Sequence, residues 1–198
     1  ELVLAIMVCW AGDEAAGRRA LEPLRALGAP VAEAIGAMPY PAIYELTGDQ
    51  AVAHGAAVRS MFAHDLSDAA SDAAIEAMRR ASSPYSLVQF RGLGGAVARV
   101  PRDATAFAHR DKPYLLTIIS IWLDPAEDAG AHAAWTEALW QAVRPEGAGV
   151  YVNFLEDEGA ERVREAYPPA TYARLAEIKR AYDPHNMFRF NQNIPPRP

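Results

Sequence analysis

Tyr151 and Asn153 are the two side chains best suited by type and spacing to act together on a ligand. They stand two apart in Tyr151-Val152-Asn153-Phe154, a segment that reads as a strand. Side chains alternate across a strand, so the phenol and the amide share one face and Val152 and Phe154 take the other. That division suggests core behind the strand and a ligand in front. A free phenol has a pKa of about 10 and is a poor base at neutral pH. It can take a proton only beside a cation, with a hydrogen bond to its anion, or through a relay. The bland alternative is a buried core tyrosine with a satisfied hydroxyl. Asn191, Gln192 and Asn193 add three amides in a row, either ligand contacts or a polar loop.

A second group lies upstream. Along Tyr114–Leu123 the even positions Tyr114, Leu116, Ile118, Ser120 and Trp122 mix aromatics with a hydroxyl, as a substrate-facing wall would. Leu115, Ile119, Ile121 and Leu123 form the apolar set, interrupted by Thr117. On Tyr85–Arg91, the set Tyr85, Leu87, Gln89 and Arg91 contrasts with Ser86, Val88 and Phe90. Gln89, Arg91, Tyr114 and Trp122 are therefore the candidate substrate contacts, against the alternative of an ordinary solvated face. Arg110, next to His109, could fix its loop, form a structural ion pair or meet an anionic substrate. The histidines lack metal-ligand spacing, so no metal is expected. Gly92-Leu93-Gly94-Gly95 is no dinucleotide fingerprint, since Val97 holds the sixth position. Cys9 lies in an apolar run and reads as inert core.

The elements that position these residues can be read from pattern. Leu2–Trp10 reads as a buried strand, Glu14–Leu27 as a helix capped at Asp13, and Pro30–Met38 as a second strand. Pro39–Leu46 is a short helix or turn, and residues 47–54 are loop. Ala56–Phe62 is a strand, then Asp68–Ala81 a helix with Ile75 and Met78 inward. Tyr85–Arg91, Val97–Val100 and Tyr114–Leu123 read as strands. Ala126–Val143 is a helix holding Trp135, Leu139 and Val143. A last helix carries Tyr172, Leu175, Ile178 and Tyr182 on one stripe and stops at Asp183-Pro184. Runs of strands separated by helices give an α+β class: an antiparallel sheet with helices on one face.

The 198 residues suffice for one domain with a sizeable core. A net charge of −6 argues against a nucleic-acid binder. The single cysteine excludes an intrachain disulfide. The run Leu2–Trp10 is too short to span a bilayer and lacks the flanks of a signal peptide, so no membrane role is expected. A cytoplasmic location is expected. Glu1 abuts a strand-like run, which suggests that the chain begins inside a longer protein.

The pattern Tyr151-x-Asn153, Arg174-Leu175, Lys179, Tyr182-Asp183-Pro184-x-Asn186-x-Phe188 and Gln192-x-Ile194-Pro195 resembles the C-terminal segment of berberine bridge enzyme-like FAD-linked oxidases. These belong to the vanillyl-alcohol-oxidase-type flavoproteins. A weaker echo lies in Gly94-Gly95-Ala96 and Phe107-Ala108-His109-Arg110. The resemblance implies a substrate-binding α+β domain over 1–150 and a segment over 151–198 that completes a flavin-binding domain. It implies FAD as cofactor, with attachment residues in a missing N-terminal half or on a partner chain. It makes Tyr151 a catalytic base and flavin contact, with Asn153, Asn191, Gln192 and Asn193 around the ring. The implied reaction takes a hydride from an alcohol-, sugar- or alkaloid-like substrate, with O2 as acceptor. By itself the chain would be inactive and open to self-association. A non-catalytic α+β binding or dimerisation module is the alternative.

Overall fold

The computed structural model describes residues 2–47 and 54–196, so most of the expected loop 47–54 lies outside the described residues. The chain divides into two compact units, Glu1–Val52 and Ala53–Pro198. In the first, helix α1 spans Glu14–Arg25. Asp13 caps it, accepting a hydrogen bond from Ala16 N at 2.8 Å. Trp10 donates its indole N–H to the Asp13 carbonyl at 3.1 Å. Its ring comes so close to Gly17 that a Cβ there would lie 2.8 Å from the indole, an approach that requires glycine. Arg25 grips the Glu33 carboxylate with two hydrogen bonds of 2.8 and 2.6 Å. A 3₁₀ turn covers Tyr40–Thr47.

The expected strands Leu2–Trp10 and Pro30–Met38 do not form. Both stretches are irregular, Leu4 and Val31 are almost fully exposed, and Cys9 is exposed rather than core. An apolar run marks where a strand could be buried. A strand also needs a neighbour for its backbone groups, and none pairs with these runs among the described residues.

The second unit is built on three antiparallel strands in the order β1-β3-β2: β1 Gly55–Ala63, β2 Leu87–Gly92 and β3 Tyr114–Trp122. Two cross-strand rows line one face, Ser60↔Thr117↔Gln89 and Phe62↔Leu115↔Arg91. The opposite face carries Met61, Leu116 and Ile118. These pack beneath helices α2 (Asp68–Arg79) and α4 (Ala129–Val143), where Ala70, Leu139, Trp140 and Val143 complete the core. Ser67 caps α2 through a bond from Ala70 N at 3.1 Å. Helix α2 meets the core with small residues, Ala70 and Ala74, and Ile75 points to solvent instead of inward. Alanines bring the helix close enough for Trp135 Nε1 to donate to Ala77 O at 2.9 Å. The glycine-rich corner after β2 leads not into a strand at Val97–Val100 but into the single-turn helix α3, Ala96–Arg99, entered at Gly95 with φ +54°. No helix among the described residues is long and apolar enough to cross a membrane.

The outer edge of β1 is where the rest of the chain attaches. Phe62 N donates to Gly149 O at 2.8 Å, and Ala148 N donates to Phe62 O at 2.7 Å. Two residues back, Arg162 Nη2 donates to Ser60 O at 3.1 Å. Val58 N donates to Glu156 Oε1 at 3.2 Å. The edge groups of Val58, Ser60 and Phe62 are thus partnered. Arg162 sits on helix α5 (Ala160–Ala166) and is itself buried. It bonds Glu158 at 2.9 Å and also Glu165, and its guanidinium lies 4.8 Å over the Trp140 ring. Val150, Leu155 and Ala166 close a second small core beside it. Helix α6, Pro169–Tyr182, then stops at Asp183-Pro184 as expected. Asp183 accepts from Met187 N at 2.7 Å and Phe188 N at 3.0 Å, which folds the chain back. Of the expected α6 stripe, Ile178 and Tyr182 are exposed.

Removing the buried Arg162 would strip the half-buried Glu158 and the Ser60 edge carbonyl of their partner, besides the exposed Glu165. Arg162→Ala is expected to lower the unfolding free energy by about 3–5 kcal/mol, read from urea denaturation. Arg18→Ala, which breaks only the exposed pair with Glu14, should barely move the midpoint. Equal, small effects of the two substitutions would contradict the clamp.

Candidate active site

The chain leaves the edge of β1 at Gly149, whose φ of +112° suits glycine, and turns toward the sheet face opposite the helices. The expected strand Tyr151–Phe154 does not form. Tyr151 is extended, but Phe154 N closes back on Tyr151 O at 2.9 Å and Val152–Phe154 is a 3₁₀ turn. The edge of β1 is already taken by residues 147–149, so the next residues have no ladder to join. Tyr151 and Asn153 nevertheless meet: Asn153 Nδ2 donates to Tyr151 Oη at 2.7 Å.

Tyr151 rests on an aromatic floor. Its ring centroid lies 6.4 Å from Phe62, 6.1 Å from Phe107 and 5.0 Å from Phe154, each edge to face. Edge-to-face packing fixes ring planes as well as excluding water. Arg91, reaching up from β2, places its guanidinium 4.7 Å over Phe154. Burial holds the Arg91 pKa below its ordinary value, and its interaction with Tyr151 opposes that. Gln89 is on the same face one row along, in register with Thr117 and Ser60. The hydroxyls of Ser60 and Thr117 are buried with no hydrogen-bond partner among the described residues.

The structure thus brings Gln89, Arg91, Tyr151 and Asn153 to one face and leaves two candidates on the other. Tyr114 and Trp122 lie on the helix-covered face, the reverse of the wall read from the strand pattern. Trp122 stacks on His132 of α4 with ring centroids 4.4 Å apart. Ser120 of the same set bonds His132 Nδ1 at 2.8 Å. Both sides of the central strand are largely apolar, so alternation alone could not say which side the helices take.

In the tail, Gln192 Nε2 donates to Leu155 O at 2.5 Å and Glu156 O at 3.2 Å, which ties the last residues beneath the Tyr151 turn. Asn191 is exposed in a left-handed conformation, φ +58°. Asn193 is half-buried, and its Oδ1 has no partner among the described residues. Arg110 fixes its loop, donating to Thr105 Oγ1 at 2.8 Å and Val97 O at 3.2 Å, and no carboxylate among the described residues pairs with it. No group of three His, Cys, Asp or Glu among the described residues could hold a metal ion.

Phe62, Phe107 and His109 carry the floor and were not singled out as site residues from the sequence. The His109 imidazole stacks on Phe62 at 4.9 Å. Its Nε2 lies 3.1 Å from both Glu165 O and Ala166 O, so that nitrogen carries the hydrogen. A Cβ on Gly149 would lie 2.3 Å from the ring. A signal for Phe62 was present: Val58, Ser60 and Phe62 alternate in β1, and only the register placing Phe62 beside Leu115 and Arg91 was missing.

Residues 150–195 match the family model described as berberine and berberine like. The uncharacterized FAD-linked oxidoreductase YvdP of Bacillus subtilis (strain 168) is 35% identical over 187 residues, 90% of this chain and 41% of the relative. The chain carries a berberine-like segment and resembles FAD-linked oxidoreductases over most of its length. Two solved structures share the family's fold with it. Chitooligosaccharide oxidase superposes with a TM-score of 0.76 at 21% identity, covering 94% of this chain and 45% of that one. A variant of berberine bridge enzyme reaches 0.79 at 20% identity, covering 93% and 44%. The chain therefore spans about two fifths of the length of these family members.

His109 links the floor to pH. Burial pushes its pKa below the ordinary value, only partly offset by the two backbone carbonyls. The unfolded chain then binds this proton more readily than the folded one. Stability should fall as pH drops through and below about 6.5, by at most about 1.4 kcal/mol per pH unit from this group. Urea denaturation of the parent and His109→Gln between pH 7.5 and 5 checks this. The slope should flatten in the variant, and identical slopes would contradict it.

Proposed function

We propose that this chain forms the substrate-binding face and part of the flavin site of an FAD-dependent oxidase. Residues 1–150 would be the substrate domain and 151–198 the segment that completes the flavin-binding domain. The rest of the flavin site would come from outside these 198 residues. The observation that carries the reading is the Asn153–Tyr151 hydrogen bond, held on the aromatic floor beside Arg91. The likeness to FAD-linked relatives supports the cofactor, and the donor set suits it. Asn193 Oδ1 is an unused, buried acceptor, and Asn153 keeps its carbonyl oxygen after spending one N–H on Tyr151. Such amides match a heteroaromatic edge that presents both donors and acceptors.

Bound FAD supplies a two-electron hydride acceptor that O2 can reoxidise, giving hydrogen peroxide. This chain's residues handle the proton. An alcohol losing a hydride from carbon must also lose its hydroxyl proton to become a carbonyl, and that proton passes to Tyr151 Oη. Asn153 donates a hydrogen bond to that oxygen, and Arg91 stands over the neighbouring Phe154 ring. The aromatic floor excludes water and fixes the ring that carries the oxygen. Gln89 contributes an amide to hydroxyls further along the face. Alcohol-, sugar- and alkaloid-like substrates all carry the hydroxyl this chemistry needs, or an equivalent acidic group.

In the complete protein, Tyr151→Phe keeps the ring and its packing and removes only the oxygen. It should slow flavin reduction by about 10²–10⁴-fold, the range for loss of a general base. Reoxidation by O2 should change far less, and stopped-flow absorbance separates the two steps. Equal reduction rates in variant and parent would place the base elsewhere. Asn153→Ala should slow reduction in the same direction, and a variant as fast as the parent would show that its hydrogen bond does not assist the phenol.

A further inference from the structure

The stretch 100–113 between α3 and β3 carries neither helix nor strand, yet it delivers two rings to the site. His109 stacks on Phe62 with centroids 4.9 Å apart. Phe107 meets Phe62 at 5.9 Å and Tyr151 at 6.1 Å, each edge to face. Irregular loops of about 12–15 residues are uncommon in compact domains and are usually functional. The three rings around Tyr151 are held in different ways. Phe62 is fully buried in β1. Phe154 belongs to the same 3₁₀ turn that starts at Tyr151, so it does not anchor that residue from outside. Of the three, Phe107 alone stands on the loop, and it is half-buried.

Arg110 is what fixes Phe107. Its guanidinium carbon lies 5.3 Å from the centre of the Phe107 ring, over its face. Nη1 donates to Val97 O at 3.2 Å and Nη2 to Thr105 Oγ1 at 2.8 Å. Val97 lies in α3, a few residues past β2, and Thr105 stands two residues before Phe107. One planar fork therefore joins α3 to the loop and lies over the ring at once, which a single ammonium would not do. Arg102 closes the loop again, donating to Ala108 O at 3.2 Å. Where a tyrosine oxygen stands depends on the first side-chain torsion, which has three staggered wells. Asn153 holds the Tyr151 oxygen by one bond, and a ring packed against the phenol body holds the torsion. We propose that Arg110 is a positioning residue: acting through Phe107, it keeps the Tyr151 side chain in one rotamer and so sets where its oxygen stands. The consequence for chemistry rests on the proposed role of Tyr151 as proton acceptor; the positioning itself stands on the geometry of Arg110 and Phe107.

The test uses the complete flavin-loaded protein with Tyr151→3-fluorotyrosine, whose fluorine resonance reads the surroundings of the ring without any substrate. Arg110→Met should move and broaden that resonance. Thr105→Val, at an exposed position, removes only the hydroxyl that Arg110 grips. It should move the resonance in the same direction and keeps the test open where Arg110→Met fails to fold. Arg110→Lys, which keeps the charge but not the fork, should recover part of the change. Arg79→Met, which breaks only an exposed pair with Glu76, should leave the resonance in place. Stopped-flow reduction of the flavin by cinnamyl alcohol or galactose, whichever reduces the parent faster, reads the consequence. In Arg110→Met the limiting rate should fall about 10- to 100-fold, the scale of an ångström-sized displacement. The half-saturating concentration and the rate of reoxidation by O2 should stay near the parent's. The fluorine measurement decides alone where neither alcohol reduces the flavin. A resonance unmoved in both Arg110→Met and Thr105→Val would overturn the positioning. So would a parent-like limiting rate in Arg110→Met where Tyr151→Phe is slow. A moved resonance with Tyr151→Phe as fast as the parent would keep the positioning and remove the proposed proton acceptor.

Discussion

The architecture around the site depends on how the edge of β1 is closed. Three antiparallel strands leave that edge with backbone groups that must find partners. Residues 147–149 take the groups of Phe62, and Arg162 takes the Ser60 carbonyl from a helix a dozen residues further on. Arg162 is buried, so its charge must be met, and Glu158 and Glu165 meet it from positions four before and three after it. The same guanidinium lies over Trp140, whose ring belongs to the helix-side core. One side chain therefore ties the terminal segment to the sheet edge and to the packed face at once. That anchoring sets where Gly149 turns and where Tyr151 arrives.

The site that results combines a rigid apolar frame with few polar atoms. Phe62, Phe107 and Phe154 surround Tyr151 edge to face, and His109 backs Phe62. Asn153 donates to the phenol oxygen, and Arg91 stands over the neighbouring Phe154 ring. This gives a physical form to the needs of a tyrosine asked to accept a proton: a donor to its oxygen and a nearby cation. It also separates this face from the helix-covered one, where Ser120, His132 and Trp122 form a buried polar and stacked group that serves packing.

Much of this was legible in the amino-acid sequence where local pattern decides. Helices α1, α2 and α6 and all three strands lie where periodicity and caps put them, α4 starts at Ala129 behind Asp128 rather than at Ala126, and the berberine-like segment was recognisable from its spaced residues. The α+β class came from the order of elements. What failed needed information from outside the local window. Leu2–Trp10 and Pro30–Met38 are apolar enough for strands but have no described neighbour to pair with. Val97–Val100 reads as a strand, yet Gly95 at positive φ starts a helical turn. The face of β3 could not be chosen while both its sides were apolar, so Tyr114 and Trp122 were placed with the ligand. Tyr151 and Asn153 meet by a turn rather than by strand alternation: the pairing was right and its geometry was not. Arg162 and His109 act through contacts more than fifty residues away in sequence, which no local pattern reveals.

The central claim is that substrate lies on the face opposite the helices with its reacting hydroxyl at Tyr151. A crystal structure of the complete, flavin-loaded protein with a bound substrate analogue tests it most directly. The analogue's hydroxyl is expected within hydrogen-bond reach of Tyr151 Oη, about 2.6–3.2 Å, with the Asn153 bond to the same oxygen retained. An analogue seated on the Tyr114–Trp122 side, or a Tyr151 oxygen turned away from it into the protein, would contradict the claim.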